Sequence, residues 1–384
     1  MSVNFIYVLS LLHGVGVFSS QMVLPLYALN LGASPVAVGL LAATFSLFPT
    51  LLAVTAGRLI DRFGARWPMT AGSLVCGLGM LVPYFFHSLP AVYFAGAMNG
   101  LSAVLFSLAA QNLVGVLSTP ETRARDFSNY MLTHSFAQFL APLLGGFSID
   151  HAGHALACLF IATLSLGPIA VLATRGKLLP GGTARSAKGG GGGIRAMLTD
   201  PAVRRTLITG SLLSAGLNMY QIYMPVYAHS IGLSASAIGV ILAMNSSAAL
   251  VSRFGLPRLI REFGEERLLA YAFFLGAASL VLIPVFRIPT LLAFISFWFG
   301  LGMGCGQPIV IMLMYSNSRD GRSGEALGLK VMTNQLTKLV APVLFGAIAS
   351  GLGLLAMFWF NATLMAAAGA VSRSAKTAAG DRPA

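Results

Sequence analysis

The chain has 384 residues, 56% of them hydrophobic and 9% charged, with a formal net charge of +13. A soluble domain carries about 25% charged residues, so this composition excludes an ordinary water-soluble enzyme. The basic residues lie in short segments between apolar runs, with no basic helix, which also argues against a nucleic-acid-binding module.

The first run, Phe5 to Leu31, contains no Asp, Glu, Lys or Arg. About 20 apolar residues cross a bilayer as a helix, which satisfies its own backbone polar groups where water is absent. The N-terminus lacks a basic n-region and a cleavage site, so this run reads as a retained helix rather than a signal peptide. In chain order, spans are expected at 5–30, 36–57, 68–87, 90–118, 127–150, 153–174, 204–229, 235–256, 268–286, 289–317, 325–350 and 352–372. The predicted fold class is therefore all-α integral membrane protein, with twelve transmembrane helices. Cys76, Cys158 and Cys305 are far apart within apolar runs, without disulfide or metal-ligand spacing, and read as buried packing residues.

Between the sixth and seventh spans lies "RGKLLPGGTARSAKGGGGGIR". Its glycines lack the strand, helix and Lys-Ser/Thr pair of a phosphate-binding loop, so it reads as a flexible basic connector. The expected organisation is a six-helix domain at 1–174, a linker at 175–203, a second six-helix domain at 204–372 and a disordered tail at 373–384. Arg58, Arg62 and Arg66 follow the second span, Arg123 and Arg125 the fourth, Arg253, Arg258, Arg261 and Arg267 the eighth, and Arg319 and Arg322 the tenth. On the opposite face only Arg287 appears. Short Lys/Arg-rich loops face the cytoplasm, which predicts a multi-pass protein of a bacterial inner membrane with both termini cytoplasmic.

The two halves repeat at one offset. "QMVLPLYALNLGASPVAVG" from Gln21 aligns with "QIYMPVYAHSIGLSASAIG" from Gln221. The same shift of 200 pairs Arg58-Leu59-Ile60 with Arg258-Leu259-Ile260, Phe63-Gly64 with Phe263-Gly264, Ala141-Pro142 with Ala341-Pro342, and Gly146 with Gly346. Two domains of the same six-helix fold follow, an architecture of secondary transporters that place the substrate site between repeats near mid-membrane.

With these features the chain resembles the major facilitator superfamily over essentially its whole length. "GRLIDRFGARWPM" resembles that family's loop motif G-x-x-x-D-R-x-G-x-R at Gly57, Asp61, Arg62, Gly64 and Arg66. "AQFLAPLLGG" resembles its antiporter motif at Pro142, Gly145 and Gly146, with Ala137 and Ala141 where glycines are usual. The resemblance implies alternating access and a conformational latch at the first loop, with Arg322 as a partner of Asp61. In the second half Arg261 and Glu262 replace Asp61 and Arg62, and their expected neighbours are Arg123, Arg125 and Asp126.

Charge inside a membrane costs about 2.5–3.5 kcal/mol at a helix centre and points to function. No Asp or Glu lies deep in a span, but the eleventh carries Lys330, Asn334 and Lys338 in steps of four on one face. The matching stripe on the fifth is Tyr130, His134 and Gln138. Lys338, helped by Lys330, is expected to attract an anion. His134 and His13 are candidates for the coupling proton, since histidine titrates near neutrality. Gln21, Asn218, Tyr220, Gln221, Tyr223, Asn99 and Gln307 add orienting groups, while Tyr27 and Tyr227 are expected in the interfacial aromatic belt. Pro142, Gly145, Gly146, Pro342 and Gly346 are expected to shape helix packing.

The expected function is secondary active transport of a small organic solute, as proton-coupled efflux. The alternative is proton-coupled uptake or exchange of an organic carboxylate through Lys338 and Lys330. A non-transporting membrane sensor is the remote alternative. No enzyme motif, cofactor or metal is called for. The expected partners are the lipid bilayer, the solute and protons, with no nucleic acid, and the expected state is a monomer.

Overall fold

The protein is described by a computed structural model that covers residues 3–119, 121–175, 201–316 and 323–380. Helices follow one another with short turns. They are α1 (Asn4–Asn30), α2 (Pro35–Phe63), α3 (Arg66–Phe85) and α4 (Leu89–Leu117), followed by a long run, Arg123–Arg175. That run breaks at Gly153, where φ is 81° and ψ 169°. Its arms are α5 (123–152) and α6 (154–175). The chain continues through α7 (Pro201–Ser230), α8 (Ala235–Phe263), α9 (Glu265–Leu282), α10 (Pro289–Ser316), α11 (Ser323–Leu352) and α12 (Leu354–Gly380). No strand occurs among the described residues.

Local chemistry explains the boundaries. Ser34 accepts a hydrogen bond from the Ala37 N–H at the start of α2, and Ser234 accepts one from Ala237 at the start of α8. Such caps satisfy N–H groups that a helix cannot pair internally. Among the described residues the left-handed positions are all glycines and fall into three pairs 200 apart: Gly32 and Gly232, Gly64 and Gly264, Gly153 and Gly353. A side chain at φ near +80° would clash with its own backbone, so glycine fixes where each helix ends. The backbone thus carries the repeat into the sixth and twelfth helices.

The expected end of the second span needs correction. α2 continues through Gly57 to Phe63, and α8 continues to Phe263. The phrase "GRLIDRF" is therefore the last two turns of a helix, and the turn itself is Gly64-Ala65. Nothing in Arg58–Phe63 breaks a helix, and the stop comes only where the backbone needs a positive φ. Among the described residues, ten helical segments are long and apolar enough to span a membrane by composition, with α5 and α6 counted as one. α7 falls outside that set, and it is the helix that carries Asn218, Tyr220, Gln221 and Tyr223.

Contacts divide the chain into two compact units. One comprises 1–187 with 228–243, and the other 188–227 with 244–384. The first has an apolar core at the arginine-bearing end, built on Ile6, Leu9, Met69, Leu113 and Leu172. The second is filled at mid-height by Tyr220, Phe273 and Phe299, each fully buried. Close backbone approaches recur in both. A Cβ on Gly100 would meet the Phe45 carbonyl oxygen at 2.5 Å, and one on Gly300 would meet the Asn245 carbonyl oxygen at 2.2 Å.

Candidate functional site

In the second unit, α7, α10 and α11 bring amides and hydroxyls together. Ser214 donates to Asn334 Oδ1 at 3.0 Å, and Gln307 Nε2 donates to the Ser214 hydroxyl at 3.4 Å. Asn218 Nδ2 donates to the Ser214 carbonyl at 2.6 Å. The expected residues Asn334, Gln307 and Asn218 thus converge on Ser214, which sequence reasoning missed. The only signal was its position one turn before Asn218 on the same helix face.

Lys330 is buried, with 7% of its surface exposed, and Lys338 two turns on is half-buried. Neither has an acidic partner among the described residues. Pro342 has no N–H to donate, which frees the Lys338 carbonyl four residues earlier. Gln221 is half-buried on α7. Tyr223 donates to the Pro342 carbonyl at 2.8 Å, tying α7 to α11 at the proline.

In the first unit, α5 carries the matching stripe with a different outcome at each position. His134 is half-buried, with Gln138 Nε2 3.4 Å from its Nδ1 and the Phe18 ring edge-on at 4.9 Å. Gln21 is half-buried on α1. Tyr130 is 3% exposed and belongs to the apolar core beside α4, with Gln111 near its hydroxyl. His13 lies in the helix packing itself. It is 4% exposed, stacked on Phe106 at 3.8 Å, with Ser102 Oγ 3.4 Å from Nε2. The structure thus places His134 and His13 in different surroundings and brings only His134 together with Gln138.

The helix-packing residues are tightly engaged. A Cβ on Gly145 would lie 3.2 Å from Val23, and one on Gly146 would lie 2.3 Å from the Ala235 carbonyl oxygen. A Cβ on Gly239 would lie 2.3 Å from the Pro142 carbonyl oxygen, so α5 and the start of α8 touch backbone to backbone. One turn further, Asp150 accepts hydrogen bonds from Ala235 N–H at 3.0 Å and Ser236 N–H at 2.8 Å. A carboxylate there complements the positive end of the α8 dipole. Gly346 is buried in α11.

Of the latch residues, the side chain of Asp61 and the whole of Arg322 lie outside the described residues, as does the side chain of Arg123. Gly57 lies within α2, and Gly64 supplies the turn that follows it. Arg62 sits over the Phe63 ring at 5.2 Å and Arg66 over the Trp67 ring at 5.9 Å. Asp126 is 6% exposed and held by Ser118 at 2.9 Å, with Arg125 at 3.8 Å. Arg261 donates to the Pro257 carbonyl at 3.3 Å, and Glu262 is exposed. An unexpected pair is Arg205 with Glu266 at 2.6 Å.

Tyr27 and Tyr227 require a second correction. Both are 4% exposed rather than lipid-facing. Tyr27 contacts His87 Nδ1 at 2.7 Å and donates to the Pro83 carbonyl at 3.3 Å, while Tyr227 donates to the Phe286 carbonyl at 3.1 Å. A buried hydroxyl needs a partner, and the chain ends of α3 and α9 supply one. All three cysteines are buried and free.

Comparison with known proteins follows this architecture. The Major Facilitator Superfamily profile matches residues 6–337. An uncharacterized transporter of that type from Methanocaldococcus jannaschii is 21% identical over 371 residues, covering 94% of this chain and 93% of its own length. The quinolone resistance protein NorA of Staphylococcus aureus is 21% identical over 332 residues, covering 85% of this chain and 84% of its own. Among solved structures, a peptide transporter POT in complex with alafosfalin superposes with a TM-score of 0.82 at 16% identity, covering 98% of this chain and 94% of that one. The nucleoside transporter NupG gives 0.77 at 13% identity, covering 97% of this chain and 99% of that one. With the profile spanning most of its length and the same fold in solved transporters, this multi-pass membrane protein belongs to the Major Facilitator Superfamily.

Proposed function

We propose that the protein exports a small organic solute in exchange for protons across a bacterial inner membrane. The observation that carries this reading is the α5 arrangement. A half-buried histidine shares a hydrogen bond with Gln138 just before the Pro142–Gly146 packing segment. His134 then holds the coupling proton, histidine being the residue type whose unperturbed imidazole exchanges a proton near neutral pH. The name of the S. aureus relative, a quinolone resistance protein, supports export. In this reading both termini and the 175–203 linker are cytoplasmic, the halves 1–174 and 204–372 are the moving bodies, and the protein acts as a monomer. The turn after α2 is the latch, with Asp61, Arg62 and Arg66 as its charged members and Arg261 and Glu262 as the divergent copy.

A second reading rests on the α11 lysines. Lys330 and Lys338 stand beside Asn334, and no acid neutralises them among the described residues. That arrangement suits a carboxylate, with Gln307, Asn218 and Gln221 of the same half as orienting groups. Membrane vesicles loaded with a quinolone or a simple carboxylate, under imposed proton gradients of both signs, separate the readings. Export predicts solute leaving the cytoplasmic side against a proton influx. Solute accumulation with proton influx supports the second reading. Flux that ignores the gradient overturns the coupling in both.

A further inference from the structure

The interior of the first six-helix half contains polar atoms that nothing else in the structure satisfies. Ser10 Oγ, His13 Nδ1, Ser73 Oγ and Asn99 Oδ1 are buried, and none has a hydrogen-bond partner among the described residues. Their residues are at most 9% exposed. They lie on α1, α3 and α4, where contacts of His13 with Ser102 and of Cys76 with Ser102, Asn99 and Ser165 link these helices and α6 into one seam, and Ser10 and Ser73 sit one turn from His13 and Cys76. Asn99 Nδ2 reaches the Val17 carbonyl at 3.3 Å and the Ser20 hydroxyl. Cys76 lies between Asn99 and Ser165, 4.0 Å from Asn99 Nδ2 and 3.5 Å from the Ser165 hydroxyl.

Two features make the gaps informative. Several serines and threonines of this half donate back to a carbonyl on their own helix, as Ser20 does to Val17, Thr50 to Ser46 and Ser107 to Ala103. Ser10 and Ser73 do not. The spacing also fits a bridging molecule. Ser10 and His13 are one turn apart, as are Ser73 and Cys76, and a helical turn advances about 5.4 Å. Two hydrogen bonds of about 2.8 Å through one water span the same distance.

The second half shows that the fold does not require this seam. At the positions of Ser20, Ser73, Asn99 and Ser165 it carries Tyr220, Phe273, Phe299 and Met365. Where Asn99 meets Ser20, Phe299 packs on Tyr220 with ring centroids 4.5 Å apart. Where a Cβ on Gly16 would meet Ser165 Oγ, one on Gly216 would meet the Met365 methyl group. Among the described residues that half keeps three such unpaired atoms of its own, the neighbouring Tyr220 and Ser296 hydroxyls and Asn245 Oδ1.

We propose that the first half binds a short file of ordered water molecules along the Ser10–His13–Cys76–Asn99 seam, inside the helix bundle. A buried site with several unpaired donors and acceptors and no charged side chain selects a small neutral partner that both donates and accepts. This reading stands apart from the transport cycle.

The test is radiolytic hydroxyl-radical labelling of the full-length protein in lipid nanodiscs, in ¹⁸O-water, read by mass spectrometry at the cysteines. Bound water is cleaved in place and marks its neighbours. Cys76 and Cys158 are equally buried, at 1% and 0% exposure, so bulk access does not distinguish them. The expected result is ¹⁸O incorporation at Cys76 about ten-fold faster than at Cys158. Equal slow rates at the two overturn the proposal. In the paired variant Ser10→Ala with Ser73→Ala, the Cys76 rate is expected to fall toward that of Cys158 while elution as a folded monodisperse species is kept. An unchanged rate in that folded variant also overturns it.

Discussion

At the arginine-bearing end, the first half is closed by Ile6, Leu9, Met69, Leu113 and Leu172. The same positions in the second half are Thr206, Thr209, Leu269, Leu313 and Ser372, beside the Arg205–Glu266 pair. Near mid-height the assignment reverses. The first half holds the serine and asparagine seam, and the second holds Tyr220, Phe273, Phe299 and Met365. The backbone contacts survive this exchange, as Gly100 on Phe45 and Gly300 on Asn245 show. Close packing of a duplicated backbone therefore constrains the glycines at helix crossings more tightly than the polarity between them. Each half was free to place its polar groups at a different depth.

That contrast can be broken by substitution. Phe299→Ala is expected to cost about 3–5 kcal/mol of stability by leaving a cavity. Asn99→Ala at the matching position is expected to cost about 0.6 kcal/mol, the typical worth of a hydrogen bond between membrane helices. Equal losses in denaturant unfolding would mean that the two interiors are not filled by different chemistry. On α11, Lys338→Ala is expected to reduce transport of a carboxylate solute roughly 10- to 150-fold, as for a lost hydrogen bond to a charged group. Gln138→Ala, in the counterpart stripe, is expected to reduce it only a few-fold by the same scale for neutral pairs. Flux in proteoliposomes reads both, and a larger effect at Gln138 would reverse the roles of the halves. Gly100→Ala and Gly300→Ala are each expected to destabilise by about 1–3 kcal/mol, because the added Cβ meets a backbone oxygen. A loss confined to one of them would show that the shared crossing is not equivalent in the two halves. The smallest effect concerns Asp150, whose counterpart is Ser350. Asp150→Ser is expected to cost about 0.3–1 kcal/mol through the lost charge at the α8 N-terminus. Thermal unfolding at low and high salt checks this, since the loss should shrink as salt screens the charge.

Much of the fold was legible because a repeat is a pattern in the sequence itself. The 200-residue offset and the uncharged runs needed no structure. What stayed hidden depends on neighbours. The second span was expected to end at residue 57, yet α2 runs on through Gly57 because the stop belongs to Gly64. Tyr27 and Tyr227 read as belt residues because nothing in the sequence shows that the ends of α3 and α9 offer carbonyls. Ser214 is one serine among many until Asn334 and Gln307 reach it. Tyr130 shares a helix face with His134 by spacing, but the core beside α4 takes it up. His13 and Asn99 were visible as polar residues in apolar runs. Their membership of one seam depends on four helices meeting.

The most direct test of the central claim, that a solute moves against protons and that His134 carries them, is proton flux in proteoliposomes. A pH-sensitive dye would be read as a panel of small organic solutes, quinolones among them, is added. At least one member is expected to drive proton movement, and His134→Gln protein, shown to be folded by its unfolding temperature, is expected to lose that response. Proton movement equal in the two proteins, or none with any solute under either gradient, would contradict the claim.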